Sequence, residues 1–219
     1  MLVRRSAAFI LLFFLTSVCS LAQKMDLAFV GGTSFVSDAK VTFAVPCFVP
    51  PASCPPPAFS DHVQMNHYWF VGGSAAVRVL NAKAFAVHLE FPAAGLLSQN
   101  LKLPGSPAFI NQMSTIFVTP SLRIKLAPDS WVSPWASAGG GWARYTVDPD
   151  ITTNKGALQV GGGFDFKVGL QRLRVRAEAR DFITGQPTFA LVNGPFVGKT
   201  EGGLNRNSIL LGGGILLRF

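Results

Sequence analysis

LRVRAEAR, residues Leu173 to Arg180, is the stretch on which the fold turns. In an extended chain successive side chains point to opposite faces. Leu173, Val175, Ala177 and Ala179 therefore share one face, and Arg174, Arg176, Glu178 and Arg180 share the other. This is the two-residue period of a strand, not the 3.6-residue period of a helix. One side of this strand is apolar and the other ionic, so two very different media border it.

Working outward, the same period recurs. In AFAVHLEF, Phe85, Val87, Leu89 and Phe91 oppose Ala84, Ala86, His88 and Glu90. From Ile116 to Leu126, Ile116, Val118, Leu122, Ile124 and Leu126 oppose Thr119, Ser121, Arg123 and Lys125. From Leu158 to Val168, Leu158, Val160, Phe164, Phe166 and Val168 oppose Gln159, Asp165 and Lys167. Less regular segments at about Met25–Ser37, His67–Leu80, Trp131–Tyr145 and Asn207–Phe219 complete a set of eight expected strands. The last is SILLGGGILLRF, Ser208 to Phe219, an apolar strand closing on an aromatic residue. A terminal strand of this kind must be paired on both sides, which a closed sheet provides.

The connections alternate in length. Long ones are expected at about 38–66, 93–113, 146–156 and 183–206, and short ones at Asn81–Lys83, Ala127–Ser130 and Gln171–Arg172. Strict alternation is what a transmembrane barrel predicts, with short turns on the periplasmic side and long loops outside. The eight-stranded antiparallel up-and-down transmembrane β-barrel is thus the expected fold, occupying residues 23–219.

Residues 1–22 read as a secretory signal peptide. Arg4 and Arg5 precede the apolar run Ala7–Val18, and Ser20-Leu21-Ala22 is a small-x-small cleavage site. The run is shorter than the about 20 residues of a membrane helix. Cys19 raises the alternative of a lipoprotein, against which the bulky Val18 argues. The formal net charge is +8, with Arg4 and Arg5 in the leader. An exported chain does not routinely meet nucleic acid, so no such partner is expected. Cys47 and Cys54, in PCFVPPASCPPP, are expected to form a disulfide in an oxidising compartment. Zinc is the sharper alternative, but His62 and His67 follow at no recognised ligand spacing.

Magnitude decides which face meets lipid. An Arg or Lys facing the bilayer midplane costs about 2–4 kcal/mol. The charged set is therefore expected to line the lumen: Arg78, His88, Glu90, Arg123, Lys125, Arg144, Asp165, Lys167, Arg174, Arg176, Glu178 and Arg180. A soluble, lipocalin-like barrel would reverse the faces. The terminal strand opposes it, as do Tyr68, Trp69, Trp131, Trp135, Trp142 and Tyr145, which fall near expected strand ends as interfacial girdles require. Trp135 and Trp142 have opposite parity, which leaves the orientation of their strand open.

With WASAGGGWARY (Trp135–Tyr145), VGGGFDFKV (Val160–Val168) and the terminal strand, the chain resembles the small eight-stranded outer-membrane barrels of the OmpA-transmembrane-domain, OmpX and OmpW-like group. The resemblance implies an outer-membrane location and an assembly signal at Gly214, Leu217 and Phe219, read by the barrel-assembly machinery. Gly212 stands where the group often has a polar residue.

Sharper motifs fade on inspection. GPFVGKT (Gly194–Thr200) resembles a phosphate-binding loop, but the required first glycine falls on Asn193. The histidines stand in HVQ, HYW and HLE, without the His-x-Ser step of one class of lipid A-modifying barrel; Asp61, His62 and His67 are the residual acid/base candidates. No catalytic residue, cofactor or metal is expected. The expected role is structural or surface-interacting, carried by loops whose segments VPCFVPPASCPPPAF, FINQM and TFALVNGPFV are apolar for exposed chain. The alternatives are a small anion-preferring or apolar-solute channel and a lipid A-modifying enzyme.

Overall fold

The computed structural model describes residues 25–37, 39–44, 58–65, 67–102, 111–147, 151–185, 190–193, 196–200 and 206–219. These form β1 (Met25–Val36), β2 (Ala39–Ala44), β3 (Ala58–Met65), β4 (Tyr68–Asn81), β5 (Phe85–Lys102), β6 (Asn111–Val118), β7 (Ser121–Leu126), β8 (Val132–Val147), β9 (Ile151–Lys167), β10 (Leu173–Thr184), β11 (Ala190–Asn193), β12 (Phe196–Thr200) and β13 (Arg206–Arg218).

The barrel wall is a closed antiparallel ring. β1 pairs with β4, β4 with β5, and β5 with both β6 and β7. β6 and β7 pair with β8, β8 with β9, β9 with β10, β10 with β13, and β13 with β1. β6 and β7 form a single wall position interrupted at Thr119-Pro120, so the ring has eight walls. The seam between β1 and β13 runs from Asp26↔Arg218 to Val36↔Ser208. Backbone bonds between Met25 and Phe219 hold its end. The apolar terminal strand is paired on both sides.

Local chemistry explains the irregularities. Pro120 has no amide hydrogen to give the ladder. The gap is bridged by Thr119 N donating to Pro92 O at 3.3 Å and Gly140 N donating to Pro120 O at 3.2 Å. Opposite it, a Cβ on Gly139 would lie 2.2 Å from Pro120 O, so only glycine permits this approach. At the seam a Cβ on Gly214 would lie 1.9 Å from Phe29 O.

Alternation carries through the ring. Phe29, Phe91, Ile116, Leu122, Ile124, Leu158, Phe164, Val175, Leu211 and Ile215 are exposed, while their chain neighbours are buried or half-buried. Exposed apolar area on this scale fits lipid, not water. From the pair Val132↔Phe166 to the pair Trp142↔Gly156 is ten residues of β8. At about 3.3 Å per residue and a tilt of about 40°, that covers about 25 Å, the height of an outer-membrane apolar band. Trp131 below and Trp69 and Trp142 above are exposed at its edges. Trp135 and Tyr145 do not belong to this girdle. They are 4% and 1% exposed, inside the barrel, because odd-numbered positions of β8 point inward throughout.

Within the segments expected as long connections the structure places further strands. β5 runs on to Lys102, β6 starts at Asn111 and β9 at Ile151. β2 and β3 form a hairpin in the first connection, and β11 and β12 another in the last. β12 pairs with β2, and β3 with the far end of β5, so one sheet of order β11-β12-β2-β3-β5 continues from the barrel wall. GKT of the phosphate-loop look-alike falls in β12, a strand where a helix would be required. Residues 1–22 lie outside the described residues. The expected Cys47–Cys54 disulfide is corrected: no disulfide bond is present among the described residues, and both cysteines lie outside them.

Candidate functional site

The lumen is the only enclosed region that the described strands share, and it is built in two storeys. Toward the short turns, the inward positions of β1, β5, β7, β9, β10 and β13 bring ionic side chains together. Arg123 Nη2 donates to Asp26 Oδ2 at 2.8 Å and its Nη1 to Glu90 Oε1 at 3.1 Å. Arg180 Nη2 donates to the same Glu90 oxygen at 2.9 Å and its Nε to Glu178 Oε1 at 3.0 Å. Arg176 grips Asp165 through two nitrogens, at 2.8 and 3.2 Å, and Lys125 bonds the same carboxylate. Arg218 Nε reaches Asp26 Oδ1 at 3.2 Å.

Three of these bonds cross the lumen between strands that are not neighbours, Arg123–Asp26, Lys125–Asp165 and Arg180–Glu90, while Arg176–Asp165, Arg218–Asp26 and Arg123–Glu90 tie adjacent strands and Arg180–Glu178 lies within β10. β5 and β10, joined by Glu90–Arg180, lie on opposite sides of the barrel. Trp135 sits among the guanidinium groups, its ring centroid 4.9 Å from Arg176, 5.2 Å from Arg180 and 5.9 Å from Arg123. Such cation–π contacts contribute about 2 kcal/mol or more when desolvated. Below this layer, Arg174 and Arg218 donate to Pro128 O at 2.9 and 3.1 Å, pinning the turn between β7 and β8. Arg174 also reaches Ser133 Oγ at 3.0 Å, and Arg78 donates to Asn81 Oδ1 at 3.2 Å.

Toward the long connections the lumen is apolar. Phe70, Leu96, Met113, Phe117, Phe182 and Leu210 are nearly or fully buried. Phe117 stacks on Phe182 at 4.4 Å. Tyr145 shares a 2.5 Å hydrogen bond with Thr184. Arg206, near the strand ends, stands over the Tyr145 ring at 5.2 Å. Where the two storeys meet, Val30, Phe70, Glu178, Arg180, Phe182 and Leu210 surround a void of only about 10 Å³, about enough for one water.

Of the twelve residues expected in the lumen, Glu90, Arg123, Lys125, Asp165, Arg176, Glu178 and Arg180 meet in the cross-barrel network. His88 lies beside it, Nε2 at 3.7 Å from Asp26 Oδ2. Arg78 and Arg174 are buried near the short turns, and Lys167 is half-buried at the rim. Arg144 is corrected: it is exposed, between buried Ala143 and Tyr145, so it points out of the barrel. Three residues from the end of β8 it clears the apolar band, where a cation costs little. Sequence reasoning missed Asp26 and Arg218. The parity of Met25 and Phe219 would have pointed to both, since each is an exposed apolar residue standing next to one of them.

Of the acid/base candidates Asp61, His62 and His67, His67 alone has a described side chain. His67 is exposed and packs edge-on against Phe35 at 4.6 Å. Asp61 and His62 belong to β3, of which the backbone pairing with β2 is described. Among the described residues no cluster of three metal-ligating side chains occurs.

By sequence the chain matches no protein family and no curated protein. By structure it is similar to the outer membrane protein OprG from Pseudomonas aeruginosa, at TM-score 0.57 and 11% identity, over 90% of this chain and 96% of OprG. Neisserial surface protein A is also similar, at TM-score 0.49 and 15% identity, over 90% of this chain and 97% of that one. The closed ring, its apolar exterior and this shared fold lead to one statement. The chain is an eight-stranded antiparallel up-and-down β-barrel of the outer membrane.

Proposed function

We propose that this barrel is a non-conducting surface-interaction protein, whose membrane part serves as a rigid base for the sheet of its first and last long connections. The observation that carries this reading is the pairing of β12 with β2. It ties two connections far apart in sequence into one extension of β5. Ordered strands beyond a membrane present backbone and side chains in fixed register, which suits recognition. The lumen supports the same reading from the other side. Five cations and four carboxylates bond to one another inside it, three of the pairs spanning it, and a solute would have to break pairs that cost about 3–5 kcal/mol each to disrupt. Recognition of the last strand, through Gly214, Leu217 and Phe219, by the barrel-assembly machinery belongs to the same proposal.

The test is conductance of the refolded protein in a planar bilayer, with Arg176→Ala and Glu178→Ala beside it. The wild type should carry no steady current, and a variant that opens the network should leak. A steady wild-type current would overturn the reading. A second reading, a conduit for apolar solutes, is favoured by the apolar storey alone. It would show as protein-dependent flux of an uncharged apolar dye into liposomes without ionic current.

A further inference from the structure

The outer wall carries a groove of about 410 Å³ near the long-connection end, lined by Gly140, Gly141, Gly156, Leu158 and Ile183 among others. All its lining residues come from three adjacent strands, β8, β9 and β10, and the residue after β10. Gly140, Gly156, Leu158 and Ile183 stand at outward positions of these strands, so the hollow opens on the outer face; Ala157 and Thr184, at inward positions, line it as well. Leu158, 62% exposed, forms one wall. We propose that this groove seats one anionic, phosphate-bearing lipid of the outer leaflet, an acyl chain lying against the glycines and the phosphate held by Arg144.

Four observations converge on it. First, the fold does not require the glycine that opens the groove. A Cβ on Gly156 would meet nothing within 4 Å, and its backbone is not left-handed. Glycine inside a strand weakens it. The open space is thus a feature the wall could have filled and did not.

Second, the depth is right. Gly156 pairs with Trp142, the exposed tryptophan at the upper edge of the apolar band. The groove lies at and just below that level, among acyl chains of one leaflet.

Third, Arg144 is one outward position above Trp142, paired with exposed Asn154. Among the described residues it makes no ion pair, unlike the arginines of the lumen. A guanidinium at headgroup level, next to a hollow of acyl-chain character, complements a phosphate in charge and in hydrogen-bond geometry. Fourth, among the described residues the outward carboxylate of these three strands is Asp181, which pairs with Val160. That is six residues along β9 from Asn154, about 20 Å, so no described carboxylate of this wall shares the level of Arg144.

Native mass spectrometry of the refolded, full-length protein tests this, with dilauroylphosphatidylglycerol or dilauroylphosphatidylcholine as the added lipid. The wild type should retain one phosphatidylglycerol per barrel and little phosphatidylcholine. Gly156→Leu, which fills the groove, and Arg144→Gln, which removes the charge, should each lower retention of phosphatidylglycerol about tenfold. Both positions are exposed, and heat-modifiable gel migration verifies that each variant forms the barrel. Equal retention of the two lipids by the wild type would overturn the proposal, as would full retention by either folded variant. An Asn154→Ala control, on the same level but outside the groove, should retain lipid as the wild type does.

Discussion

Near the short turns, Asp26, Glu90, Asp165 and Glu178 are bonded to five cations inside the barrel. Near the long connections, the same eight walls close on Phe117, Phe182, Leu210 and their neighbours. The two storeys differ in what they demand. Apolar packing accepts small changes of shape, because its forces are non-directional. A buried ion network needs every partner, because each charge left alone keeps its desolvation cost. Two packing chemistries stacked in one narrow cylinder therefore predict two kinds of tolerance to substitution.

The largest effect should come from Arg176→Ala, which leaves Asp165 with Lys125 alone and empties the space beside Trp135. A loss of about 3–5 kcal/mol is expected in denaturant titration of the detergent-refolded barrel. Phe182→Ala, its counterpart in the apolar storey, removes the stack with Phe117 and should cost about 3 kcal/mol. A cost equal to or above that of Arg176→Ala would erase the proposed contrast. Next, a double-mutant cycle on Glu90 and Arg180 should give a coupling of about 1–3 kcal/mol, reporting a bond that spans the lumen. Tyr145→Phe removes one hydrogen bond, to Thr184, and should cost about 1 kcal/mol in the same titration. The smallest effect sharpens the comparison most. Raising salt from about 0.1 M to about 1 M should leave stability nearly unchanged, because the ion pairs are buried and screening acts on exposed ones.

Much of this was legible in the chain. Leu173–Arg180 alone fixes which side of its strand is ionic, and the alternation of short and long connections implies closure. Individual facings failed where the pattern was thin. Arg144 reads as a lumen charge only if depth is ignored, because the cost of an outward cation vanishes above the apolar band. Trp135 and Tyr145 read as girdle residues because aromatic side chains suit both an interface and a filled lumen; only the parity of β8 separates the two. Asp26 and Arg218 are easy to pass over because each is the lone charge in an otherwise apolar strand end, with only the parity of one neighbour to mark it. The pairing of β12 with β2 had no sequence signal, since nothing local in either segment names its partner.

The seam between β1 and β13 has a kinetic consequence. Its bond from Arg218 to Asp26 joins residues 192 positions apart, whereas every other wall contact on the ring is made between nearer strands. Chain-closure entropy makes such a contact slow to form and late to be rewarded. Until it does, the other walls stand as a curved ribbon with two bare hydrogen-bonding margins, each able to recruit a stranger's strand. The hazardous interval in the life of this molecule is the time between making its hairpins and joining its two ends.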